Sequence, residues 1–129
     1  MTKRILFFFL LFSSNFLFCN SKWVYKGSKE IKTKYFDFNF VLEEKCEVTN
    51  TGECLYDDGQ VWRLILYYDN KPYTVFEEYV QSDQVYFTVR NFLGIVFVYI
   101  NGNDFKICKR IINRNSQIEI KNIFKFWVK

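Results

Sequence analysis

The sequence predicts an all-β fold: a single antiparallel β-sandwich or small β-barrel of about eight to ten short strands, with at most one short helix. Three observations carry that expectation. Apolar and polar residues alternate with a period of two over several stretches. Turn-forming residues recur every ~8–13 residues along the chain. Two further stretches are apolar on both faces and rich in β-branched and aromatic side chains, which suit strands better than helices.

Taken in order, the first segment reads as a secretory signal covering residues 1–21. Lys3 and Arg4 make a positive start, Ile5 to Phe12 are apolar, and Ser13-Ser14-Asn15 precede Phe16-Leu17-Phe18-Cys19. This stretch is too short and too interrupted for a membrane-spanning helix, and no later run approaches the length needed, so residues 22–129 are expected to contain no transmembrane span. Two ends for the leader stay open. Cys19 and Ser21 fit the small positions before a cut ahead of Lys22. Alternatively Cys19 is the lipid attachment site of a bacterial lipoprotein, with Phe18 standing where such proteins carry a small residue.

Residues 22–34 are lysine-rich and fit either a tether or an edge strand beginning at Trp23-Val24-Tyr25. Phe36, Phe38, Phe40 and Leu42 then alternate with Asp37, Asn39 and Val41, as in a half-buried strand. Val85, Phe87 and Val89 repeat the pattern, and Phe105, Ile107 and Ile111 lie on one side of a third such strand. Trp62 to Tyr68 and Ile95 to Ile100 are the doubly apolar runs, expected as central strands covered on both sides. The one candidate helix is a short turn near Thr74 to Val80, where Glu77-Glu78 breaks the alternation. Turns are expected at Asn50-Thr51-Gly52, Asp57-Asp58-Gly59, Asp69 to Pro72, Ser82-Asp83, Asn91 to Gly94, Asn101-Gly102 and Asn113 to Ser116. Asn101-Gly102 is the strongest hairpin signal, because a type I′ turn needs positive φ at both central residues.

Offset by 24 residues, Asp58-Gly59-Gln60-Val61-Trp62 aligns with Ser82-Asp83-Gln84-Val85-Tyr86. The segment Tyr56 to Val61, followed by Tyr68 to Lys71, resembles variant MORN-type repeats of bacterial exported proteins. That resemblance implies successive hairpins, each with a Tyr-x-x-Gly-Gln opening.

Four cysteines occur. In an oxidising compartment Cys46 and Cys54, symmetric about Asn50, are expected to pair across a hairpin, leaving Cys108 as a buried free thiol. The competing pairing joins Cys108 to one of them or to Cys19. The chain has no histidine and no CxxC, so neither a metal site nor any cofactor is expected. The missing histidine also removes the commonest general base. Glu43-Glu44, Asp57-Asp58 and Glu77-Glu78 are carboxylate neighbours, read as solvated turns and edge charges rather than a catalytic pair. No enzyme activity is expected.

Charge is distributed unevenly. Residues 22–36 carry +4, residues 37–104 carry −8 and residues 105–129 carry +6. If the terminal strands lie together they make a basic face, with Lys109, Arg110, Arg114, Lys125 and Trp127 as its candidate contacts. The expected partner is a protein, a glycan or an anionic envelope surface, not nucleic acid, since no recognition helix or RNP-like motif is present. The leading expectation is a non-enzymatic exported binding domain: periplasmic, anchored in the outer envelope, or secreted. The alternative is a small inhibitor or immunity-type protein that blocks an enzyme with an acidic loop, Asp57 to Gly59 or Asp69 to Pro72. Periplasmic lysozyme inhibitors are similar in size and architecture only.

Overall fold

Period-two alternation becomes two layers. The computed structural model describes residues 21–33, 36–48, 51, 54–55, 60–82 and 84–127, and nine strands lie among them. These are β1 (Ser21–Lys32), β2 (Asp37–Val48), β3 (Cys54–Leu55), β4 (Gln60–Tyr68), β5 (Lys71–Val80), β6 (Tyr86–Phe92), β7 (Ile95–Asn101), β8 (Phe105–Arg114) and β9 (Gln117–Trp127). The first sheet has the order β1-β2-β4-β5, with β3 extending it beside β2; the second has the order β6-β7-β8-β9. All pairings are antiparallel. The architecture is sandwich-like and not a closed barrel. The segment expected as a leader, with Cys19, and the turns expected at Asn50 and Asp57 to Gly59 fall wholly or largely outside the described residues. Of the two readings of residues 22–34, the edge strand holds.

The core sits between the sheets. Phe38, Phe40 and Leu42 of β2 and Leu64 and Leu66 of β4 meet Val96, Val98, Ile100, Phe105, Ile107 and Ile111 of the second sheet. Phe76 stacks on Phe105 with ring centroids 5.6 Å apart, and Phe40 lies 6.4 Å from Phe87. The segment joining the sheets is tied down by side chains. Ser82 Oγ donates to Asp104 Oδ1 and accepts the Asn103 N–H at 2.8 Å, and Gln81 N–H donates to Asp104 Oδ2 at 3.3 Å.

Three expectations need correction. The candidate helix at 74–80 is part of strand β5. The register shifts there, so that Leu64 pairs with Phe76 while Ile65 pairs with Thr74. Val75 is the extra residue of a β-bulge, and both it and Phe76 are buried. The alternation breaks at Glu77-Glu78 because Glu77 faces outward while Glu78 lies on the inner face opposite Trp62, paired with Lys125, and the bulge just before it adds two consecutive buried residues. The runs in β4 and β7 are central strands, but no described layer covers their second side. Ile95, Phe97 and Tyr99 are only half-buried on the outer face. Asn101-Gly102 is not a turn with positive φ; such φ values fall instead on Asp69-Asn70, Leu93-Gly94 and Asn115-Ser116. Gly102 is needed for space: its N–H donates to Phe105 O at 3.0 Å, and a Cβ there would run into the Phe105 ring and Ser82 Oγ.

The repeat-like segments also part company. Gln60-Val61-Trp62 opens β4 in the first sheet, whereas Gln84-Val85-Tyr86 leads into β6 of the second. They are not successive hairpins of one sheet.

Candidate binding surface

Alternation divides the candidate residues of β8 and β9 between two faces. Lys109 pairs with buried Val98, and Lys125 pairs with buried Ile107, so both lie on the inner side of the second sheet. Trp127 pairs with Phe105 on that side too, with ring centroids 5.6 Å apart and the Lys125 ammonium 5.6 Å from its own ring. Lys125 Nζ is ion-paired with Glu78 of β5, closing that edge of the sandwich. Burial pulls the Lys109 ammonium below its ordinary pKa, opposed by the Glu78 charge and reinforced by Lys125. The Lys125–Glu78 pair thus ties the second sheet to the first.

Arg110 and Arg114 lie on the outer face, where the register supplies company that the sequence reading missed. Arg90 pairs with Phe97, Phe97 with Arg110, and Arg110 with Lys121, so one row crosses all four strands with three cations and an aromatic ring. Arg114, Lys106 and Glu119 share this face. Glu119 is its one acidic group among the described residues, approached by Lys121 at 3.3 Å and Arg114 at 3.7 Å. Neither Arg90 nor Arg110 pairs with a carboxylate among the described residues. Arg110 Nε is shielded from solvent and has no hydrogen-bond partner among the described residues. Phe124 and Phe126 stack at 5.6 Å on the same face, and Tyr86 and Phe92 are exposed on it.

The outer face of the first sheet is different, because its arginine is matched by a carboxylate and an aromatic ring. Arg63 Nε donates to Glu43 Oε1 at 2.8 Å while its guanidinium lies 3.8 Å from the centre of the Trp23 ring. Lys45 approaches the same ring at 5.9 Å. That arrangement has little spare charge for a partner.

The terminal segments do not lie together. β1 is the edge strand beside β6, and β9 is the edge strand reached from β5 through Glu78–Lys125. The basic face is therefore made within the second sheet, with Arg90 of β6 joining β8 and β9.

Consecutive acids point to opposite faces. Glu43 is outside against Arg63, while Glu44 is inside at 1% exposure. Glu44, Trp62 and Glu78 form one inner row through their pairings across β2, β4 and β5. Burial raises the Glu44 carboxyl above its ordinary pKa, with Lys26 of the β1 bulge opposing the shift. Glu44 Oε1 and Trp62 Nε1 have no hydrogen-bond partner among the described residues. No described group of three or more histidine, cysteine or acidic side chains could hold a metal ion.

Cys46 is buried opposite Lys22 and is not a free thiol. The register sets Cys54 across from Val48 rather than Cys46, and the Cys54 side chain lies outside the described residues. Cys108 is free and buried beside Tyr99, and burial raises its thiol pKa. The Asp69-Asn70 turn borders a shallow groove lined by Glu30, Lys32, Asp37 and Tyr67. No helix among the described residues is long and apolar enough to cross a membrane.

Fold and surface together define a two-sheet antiparallel sandwich with one uncovered, basic and aromatic outer face. No protein-family model, curated protein or solved structure matches the chain.

Proposed function

We propose that this is an exported, non-enzymatic binding domain that docks on an anionic envelope surface through the outer face of its second sheet. The observation that carries the reading is the row Arg90, Phe97, Arg110, Lys121, in which two arginines have no carboxylate partner among the described residues. Unmatched cations on an open face attract phosphate or carboxylate arrays, and exposed rings beside them add contact area. Export follows from reading residues 1–21 as a leader, with Cys19 as the lipid attachment site if the lipoprotein ending is the one used. The same reading joins Cys46 to Cys54, since Cys46 is not a free thiol and Cys108 is.

The test uses protein recovered from the exported fraction, its starting residue and free thiols read by intact mass. Wild type should bind phosphatidylglycerol vesicles and a lipid-free polyphosphate resin, and both should weaken as salt rises. The triple variant Arg90→Gln, Arg110→Gln, Lys121→Gln should lose most of both. Unchanged binding by a folded triple variant would overturn the assignment.

A second reading, blockade of an enzyme by an acidic turn, draws on the exposed Asp69-Asn70 tip beside Tyr67. The unmatched cations on the opposite sheet weigh against it, because that reading leaves them without a role.

A further inference from the structure

Three hairpins turn on two residues with positive φ. Asp69-Asn70 has φ of 52° and 59°, and Asn115-Ser116 has 50° and 66°. Short polar side chains tolerate this left-handed region because they bond locally to the backbone. The third turn, between β6 and β7, uses Leu93-Gly94 at 51° and 85°. A leucine there has its Cβ pressed against the following carbonyl and gains nothing in return within the fold. Leu93 is 88% exposed and Phe92 beside it 65% exposed. The chain thus places an apolar residue where both backbone and solvent disfavour it.

The surroundings of the tip identify an occupant. Arg90 lies two residues before Phe92 on the same face, about 7 Å down the strand. Its row brings Arg110 and Lys121 to that level, and Arg114 sits at the neighbouring β8–β9 turn. Apolar side chains with cations one step behind match the interface of an anionic bilayer, where apolar groups enter about 5–10 Å and basic groups meet phosphates. Asn113 Nδ2 donates to Tyr68 OH at 3.0 Å, which places the β4–β5 turn, with Asp69 and nearby Asp37, at the same pole. Lys32 and Lys71 lie beside those acids, so this pole carries little net charge and the second sheet's cations decide which side leans toward the lipid.

We propose that Phe92 and Leu93 insert into the interfacial layer of an anionic lipid bilayer while Arg90, Arg110, Arg114 and Lys121 engage its phosphates. This rests on the basic-face reading and names its partner: a lipid surface, not a polyanionic glycan or protein. A polyanion would use the cations and ignore Leu93.

The experiment compares wild type, Leu93→Asn and the triple arginine–lysine variant on phosphatidylglycerol-containing vesicles and on lipid-free polyphosphate resin. Leu93→Asn should weaken vesicle binding roughly tenfold or more, the loss of one buried leucine, while leaving resin binding unchanged. Its melting temperature should rise, which separates lost insertion from lost folding. Phe92→Trp should show fluorescence quenched by brominated lipid. Wild-type vesicle binding by Leu93→Asn, or no quenching, would overturn insertion and leave the basic face standing. Loss of resin binding in Leu93→Asn would also overturn it, by giving the tip a role without lipid. Failure of wild type on both vesicles and resin would remove the basic-face reading itself.

Discussion

A single side chain can be set against the fold that holds it, and this protein contains two such cases. Leu93 in a left-handed turn costs about 1–2 kcal/mol relative to an unstrained backbone, and asparagine recovers part of that. Glu44 is the second. Its carboxyl is raised above the ordinary value of 4.5 chiefly by burial, so the folded state holds the proton more tightly than the unfolded chain does. Stability from this group is therefore highest below about 4.5 and falls as pH rises toward the folded value. Glu44→Gln keeps the shape and removes the charge. Denaturation in urea should show it more stable than wild type at pH 7, with the advantage disappearing in acid below pH 4.5. A variant less stable than wild type at neutral pH would mean that the Lys26 attraction outweighs burial.

Among the elements, turns and bulges decide what the sequence discloses. The strands at 36–42, 85–89 and 105–111 are legible because one face of each is wet, so the pleat writes itself as alternation. The strand at 71–80 is not legible, since the Val75 bulge shifts the register and Glu78 faces inward to meet Lys125, so an acid stands where the alternation calls for an apolar residue. Asn101-Gly102 shows a subtler failure. Its composition fits a type I′ turn, but the glycine serves a close approach to Phe105 and Ser82. Gly102→Ala should accordingly destabilise by about 1–3 kcal/mol, the usual cost of overpacking, measured by chemical denaturation. If the loss were within a few tenths, the Ser82–Asp104 segment would have to yield more readily than its hydrogen bonds suggest. The candidate surface was half legible. Arg110 and Arg114 stand out by charge, but Arg90 and Lys121 join them only through the register of three strand pairings, which no local pattern specifies.

For the molecule as a whole, two meanders share one core, and neither sheet has an apolar layer of its own to fold against. Phe76→Ala at the Phe76–Phe105 stack should cost about 3–5 kcal/mol, and strand signals from both sheets should melt in one transition. Separate transitions would show that the sheets fold independently. Charge summed over the terminal segments suggested a basic face from β1 and β9, yet the topology sends these strands to opposite edges, a long-range outcome that composition cannot encode. The meander has one more effect. Ser21 pairs beside Glu47 and Trp127 beside Phe105, so both first and last described strands reach the pole opposite Leu93. With twelve residues in β1, that pole lies about 40 Å from the tip. A handle fixed at either of these strand ends therefore holds the domain like a probe on a stem, with its hydrophobic point facing outward and the length of β1 between the handle and whatever the point touches.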